Sequence, residues 1–242
     1  MLGWLPADVS TFGPNIDSML KLIFYVVGMA FVLTEGTLLA FIILYRRRKG
    51  GRASFVRGES FRELAWVLIP VLIVIFLDVM IDVKAKAIWE LVKEQNPPAG
   101  VTVKLEALQF GWEFTYPGPD GQFGTHDLVQ TTTLTVPAGQ VIRLIMGSKD
   151  VIHSFYVPQL RLRQDAVPGR EIPVWFEATQ PGKYEIACSQ LCGISHFAMK
   201  GILRVLTPED YQQWVSQHWP KSASATSKRA LSARTSGPGK EG

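Results

Sequence analysis

The sequence predicts an α+β membrane protein: an N-terminal transmembrane helical hairpin, then an all-β Greek-key domain with a short C-terminal helix. Three observations predict it. Two long apolar runs lie within the first ninety of the 242 residues. A short, densely basic segment separates them. Beyond Val101 the chain changes to short alternating runs rich in β-branched residues, divided by glycine and proline. The expected divisions are an outer-face segment at 1–19, the hairpin at 20–90, the β domain at 91–219 and a tail at 220–242.

The first run, LKLIFYVVGMAFVLTEGTLLAFIILY at 20–45, carries only Lys21 and Glu35 as charges. A helix needs roughly 20 apolar residues to cross a ~30 Å hydrocarbon core, and this run suffices. It is too long for the core of a signal peptide, and its basic cluster follows it instead of preceding it. The second run, LAWVLIPVLIVIFLDVMIDV at 64–83, meets the same criterion. The loop RRRKGGRASFVRGESFR at 46–62 is short and basic, so it is expected to stay in the cytoplasm. The N-terminal segment and everything beyond Lys84 then face the periplasmic or outer side. Glu35 lies inside the first span, where an ionised group is costly unless it is paired or faces a polar interior. Glu63 opens the second helix as a favourable acid in the first turn. Much of the net charge of +4 comes from this loop and the basic tail. No broad basic face remains for nucleic acid.

The candidate strands are VTVKLEALQF, WEFTY, TTTLTV, VIRLIMGS, HSFYV, REIPVWFEAT, KYEIAC and GILRVL, with PGPDGQFG, VPAGQ, VPGR and QPGK as turns. Many short strands at such spacing argue a β-sandwich or Greek-key barrel. TPEDYQQWVSQHW then opens with Thr207, Pro208 and two acids, the start of a short helix. The tail KSASATSKRALSARTSGPGKEG lacks an apolar period and is expected to be disordered.

Residues 188–199, CSQLCGISHFAM, hold both cysteines of the chain with a histidine and a methionine. In an oxidising compartment a disulfide is the default expectation. A Cys188–Cys192 bridge closes a very short ring, contributes little chain entropy and leaves His196 and Met199 unexplained. Zinc has no use for a thioether, whereas thiolate, imidazole and thioether together point to copper. A mononuclear blue-copper site needs Cys, Met and two His. His153 is well placed to be the second, ahead of His126 and His218. That site leaves the second cysteine idle. Two thiolates bridging two copper ions would use both, with a histidine on each copper, Met199 at one and a main-chain carbonyl at the other.

Four stretches carry a family resemblance: HSFYVP from 153, RQDAVPGR from 163, CSQLCGISHFAM from 188 and ELAWVLIP from 63. Together they resemble subunit II of the haem–copper terminal oxidases, the cytochrome c oxidase family, over about residues 20–218. The resemblance implies a cupredoxin-like domain holding a dinuclear copper A centre. Its ligands would be His153, Cys188, Cys192, His196 and Met199, with the main-chain carbonyl of Gln190. It implies electrons taken from cytochrome c or a small copper protein and passed to haem in subunit I of a prokaryotic membrane complex. Oxygen reduction and proton translocation would occur there. It also implies that Glu63 stands at a proton-channel mouth and Asp165 near the subunit I interface, and Asp150, just before His153, has a family counterpart.

Two departures stand out. Where the family commonly has glutamate, whose carboxylate binds a magnesium at the subunit interface, this chain has Gln190. Magnesium favours anionic oxygen, so that site is expected to be weakened or absent. Where many members place a surface tryptophan through which electrons enter, this chain has Phe110, with Trp112 two positions on. The competing reading makes both aromatics core residues of a strand. Residues 101–206 carry nine basic and nine acidic side chains, which leaves the donor open. No CxxCH haem-attachment motif is present. A nitric oxide reductase of the same superfamily would use the same subunit with a different acceptor. An outer-face copper-binding protein and a metal-free quinol oxidase subunit are the more distant alternatives.

Overall fold

The computed structural model describes residues 5–47, 50–51, 55, 57–124 and 127–219. It divides into two units: residues 14–95, and a second that joins the N-terminal residues up to Gly13 with the chain from Asn96 onward. Part of the basic loop (Arg48, Lys49, Arg52), His126 and the tail at 220–242 lie outside the described residues.

The first unit holds two helices long and apolar enough to cross a membrane. Helix α1 spans Gly13–Leu44 and α2 spans Phe61–Trp89, the latter running into a π-helical turn at Glu90–Glu94. Each is longer than its apolar run, because backbone hydrogen bonding does not stop where the side chains become polar. Pro14 suits the first turn of α1, where its missing N–H costs nothing. Helix α2 opens on a capping box. The Ser60 hydroxyl accepts from the Glu63 N–H at 3.3 Å, and the Glu63 carboxylate accepts from the Ser60 N–H at 3.2 Å. Phe31, Ile43, Val67 and Phe76 all stand exposed, as a lipid- or protein-facing surface requires.

The second unit is a sandwich of two five-stranded sheets. One has the order β3 (Leu128–Thr131), β2 (Gly111–Tyr116), β1 (Val101–Leu108), β5 (Val141–Ser148) and β8 (Ile172–Glu177). The other has the order β4 (Thr133–Pro137), β10 (Lys200–Leu206), β9 (Gly182–Cys188), β6 (His153–Val157) and β7 (Leu162–Ala166). Alternate residues of each strand turn inward, as the two-residue period requires. Leu105, Phe114, Leu144 and Phe176 from one sheet are fully buried, as are Leu134, Phe155, Ile186 and Leu203 from the other. Helix α3 (Pro208–His218) starts at the Thr207 cap and buries Tyr211 and Trp214.

The sequence anticipated eight strands; β3 and β7 are the additions. Both are edge strands, and LVQT and LRQDA bury too few apolar side chains to alternate clearly. At the N-terminus, residues 5–12 form a strap on the sandwich. Val9 N–H donates to the Gln159 carbonyl at 3.0 Å, Thr179 N–H to the Val9 carbonyl at 2.8 Å and Thr11 N–H to the Glu177 carbonyl at 3.3 Å. Val9 and Phe12 are buried, and Phe12 meets Trp175 edge-on with ring centroids 5.4 Å apart.

Candidate metal centre

The site forms where β6 and β9, antiparallel neighbours with Phe155 opposite Cys188, present the start of one strand beside the end of the other. His153 is the first residue of β6 and Cys188 the last of β9. The chain then loops through residues 189–199 and returns as β10. The Cys188 N–H, donating to the Met199 carbonyl at 3.2 Å, closes the loop at its base.

The expected donors converge there. One donor atom each of His153, Cys188 and Cys192 lies within 4.8 Å of the other two. The two Sγ atoms are 3.9 Å apart without a disulfide. Cys192 Sγ is 3.5 Å from His196 Nδ1 and 3.7 Å from Met199 Sδ. Cys188 Sγ is 4.0 Å from His153 Nδ1 and 3.2 Å from the Gln190 carbonyl oxygen. Cys188, Cys192 and Met199 are buried, His153 completely so, and His196 is half-buried.

The donor chemistry fits a soft metal. Asp150 Oδ1 lies 2.8 Å from His153 Nε2, so the ring's other nitrogen, Nδ1, faces the thiols in a fully buried position. A carboxylate fixing the far nitrogen of a metal-binding imidazole is the usual outer support of such sites. Partial burial raises the Asp150 pKa, but hydrogen bonds from His153 and from the Gln109 and Val151 N–H groups hold it below the ordinary value. Arg163 adds contacts at 3.3 Å to the Ser154 hydroxyl and 3.4 Å to the Ser189 carbonyl, next to two of the donors.

Burial and the neighbouring Cys188 push the Cys192 thiol up to about 11, from an ordinary value near 9. The metal-free fold therefore favours the protonated thiol. Its stabilising contribution is complete below pH 9 and is lost as pH rises through about 11. Thermal melts of the reduced, metal-free chain should show this decline, and Cys192→Ser should lessen it. An identical alkaline profile in that variant would refute the assignment.

The other candidates separate. Phe110 is half-buried at the turn between β1 and β2, against the ligand loop. Trp112 is 1% exposed, edge-on to Phe155 at 5.7 Å and to His153 at 6.3 Å. Its indole N–H is buried without a hydrogen-bond partner among the described residues. The reason is strand register, since Trp112, Phe114 and Tyr116 share the inward face of β2. Asp165 lies opposite Ser154 on β7, next to the His153–Ala166 pair. His218 is outside the cluster, bonded through Nδ1 to the Trp214 carbonyl at 2.8 Å. Glu35 and Glu63 belong to the helical unit. The contact from Gln109 was not foreseen: it reaches the Cys192 carbonyl across 83 positions of sequence, and no local pattern announces such a contact.

The profile of the family described as cytochrome c oxidase subunit II, periplasmic domain, matches residues 102–206. A cytochrome c oxidase subunit 2 of Thermostichus vulcanus is 30% identical, with 89% of this chain and 79% of the relative covered. One from a Synechocystis strain is 28% identical over 96% of this chain and 82% of its own length. Among solved structures, the periplasmic domain of subunit II of cytochrome oxidase from Bradyrhizobium japonicum is similar. It is 29% identical, covers 51% of this chain and 96% of its own, and has a TM-score of 0.46.

Proposed function

The chain belongs to the cytochrome c oxidase subunit II family, and from that premise we propose that it is the copper A subunit of an oxygen-reducing haem–copper oxidase. The observation that carries this reading is the pair of buried thiols 3.9 Å apart, each with its own imidazole nitrogen close by. A single copper ion would leave one thiol idle, whereas two bridging thiolates use both. His153, Cys188, Cys192, His196 and Met199, with the Gln190 carbonyl, would hold the metal. Bound copper would supply reversible one-electron uptake.

The protein's own residues do the rest. Strands β6 and β9 fix His153 and Cys188, and the loop closed at its base by Cys188 and Met199 fixes the others, so little reorganisation would accompany a change of charge. Asp150 orients the His153 ring, and the buried sandwich excludes water from the thiols. Phe110, the less buried of the two aromatics, is the contact through which an electron from cytochrome c or a small copper protein would enter. Trp112 would act only as packing behind His153. The acceptor would be haem in the large partner subunit, where oxygen reduction is coupled to proton translocation. Glu63, capping α2, would stand at a proton path into that subunit. With glutamine at 190, no carboxylate adjoins the carbonyl donor, which leaves a hard cation such as magnesium without its usual anionic ligand.

The purified complex tests the reading. Two copper ions per chain are expected in this domain, with an electron-spin signal from one unpaired electron shared by both. A single-copper signal, or a domain that takes no copper after reduction of both thiols, would overturn it.

A further inference from the structure

The turn joining β1 to β2 holds the metal loop in place. Its first residue, Gln109, makes two long-range contacts. Its main-chain N–H donates to Asp150 Oδ2 at 2.7 Å, and the other oxygen of that carboxylate is bonded to His153 Nε2 at 2.8 Å. Its side-chain Nε2 donates to the Cys192 carbonyl at 2.5 Å, across 83 positions of sequence. One residue thus reaches a thiol donor on the loop and, through Asp150, a histidine donor on β6.

The loop is shaped to receive it. Gly193 has φ +139°, a conformation that residues with a Cβ rarely adopt. A Cβ there would lie 2.9 Å from Gln109 Nε2 and 3.1 Å from two carbons of the Phe110 ring. The ring therefore sits against the bare Cα of the residue after Cys192. That close approach is an observation independent of the hydrogen bonds, and it falls on the same pair of segments.

We propose that Gln109 is a positioning residue for the metal centre, its side-chain amide tethering the Cys192 carbonyl while its main-chain N–H steadies the Asp150–His153 pair. The tether holds the 189–198 segment closed over the donors and keeps Phe110 seated on the Cys192–Gly193 peptide. Phe110 is thereby connected to a ligand residue by direct packing. The role in copper retention rests on the copper reading above; the closure of the loop over Cys192 does not.

Gln109→Met keeps the length and removes the N–H donor, and Gln109→Glu keeps length and polarity while presenting oxygens to the carbonyl. Outer supports of metal ligands are worth roughly 10–100-fold in metal affinity. In the purified oxidase, each variant should lose copper to excess EDTA about 10-fold faster than the parent and shift the copper visible bands. In the reduced, copper-free full chain, Cys192 should react about 10-fold faster with a disulfide reagent, because an untethered loop opens more often. Retention, bands and thiol rate all equal to the parent's would overturn the proposal, even if turnover with cytochrome c fell, since Gln109 would then be a donor contact only. A parent chain that takes no copper would remove the copper reading instead, and the thiol rates would still decide this one.

Discussion

Replacing Cys192 by serine should lower donor-driven turnover of the assembled oxidase by more than about 100-fold, because loss of a direct ligand should exceed the 10–100-fold cost of losing an outer support. Serine offers a hard hydroxyl where the site needs a soft anion. Cys192 also lies 3.5 Å from His196 and 3.7 Å from Met199. Its loss therefore breaks contact with both, and not with Cys188 alone. The copper content and spectrum of the purified complex are the direct measurements. A variant that keeps two coppers and the parent spectrum would show that Cys192 does not bridge. Asp150→Asn is the graded comparison. It keeps a donor or acceptor toward His153 but removes the charge, so its loss should stay within the 10–100-fold of an outer support. Since the two Sγ atoms are only 3.9 Å apart, closing to a disulfide near 2.05 Å needs a small movement. Copper loading should accordingly require prior reduction.

Phe12→Ala should strongly destabilise the β domain, although Phe12 lies outside its strands. The side chain is 1% exposed and packs edge-on against Trp175. Deleting a buried phenylalanine side chain costs about 3–5 kcal/mol, from lost burial together with the cavity left behind. The strap holding it makes three main-chain hydrogen bonds to the sandwich, so the backbone around Phe12 cannot easily collapse into the space. Melting of the full chain in detergent, followed by the near-ultraviolet signal of the sandwich aromatics, should show a clear fall. An unchanged midpoint would mean that residues 5–12 are carried by the domain without supporting it.

Much of the architecture was legible because its causes are local. Apolar length identified both helices, and two-residue alternation identified the inner strands. The gathering of these side chains was legible as well, because Cys188, Cys192, His196 and Met199 share one loop, and His153 opens a short β-branched and aromatic strand. What escaped depends on contacts between distant segments. Strand β7 is an edge with an exposed Arg163 and polar, partly buried Gln164 and Asp165 at its centre, so its sequence reads as polar loop. Trp112 sits in the same motif as Phe110, but the register of β2 sends it inward. The contact from Gln109 to Cys192 and the strap of residues 5–12 are both long-range. Neither segment carries a pattern that names its partner.

The strap also constrains how the chain is threaded. Its hydrogen bonds join residues ahead of α1 to strands that come after α2, so both ends of the hairpin must reach the same aqueous compartment before the sandwich can close. A chain with one helix inserted and the other left out would strand the strap across the bilayer from its partner strands. Completion of the β domain is thereby a check on insertion: only an even number of crossings lets Phe12 reach its place against Trp175.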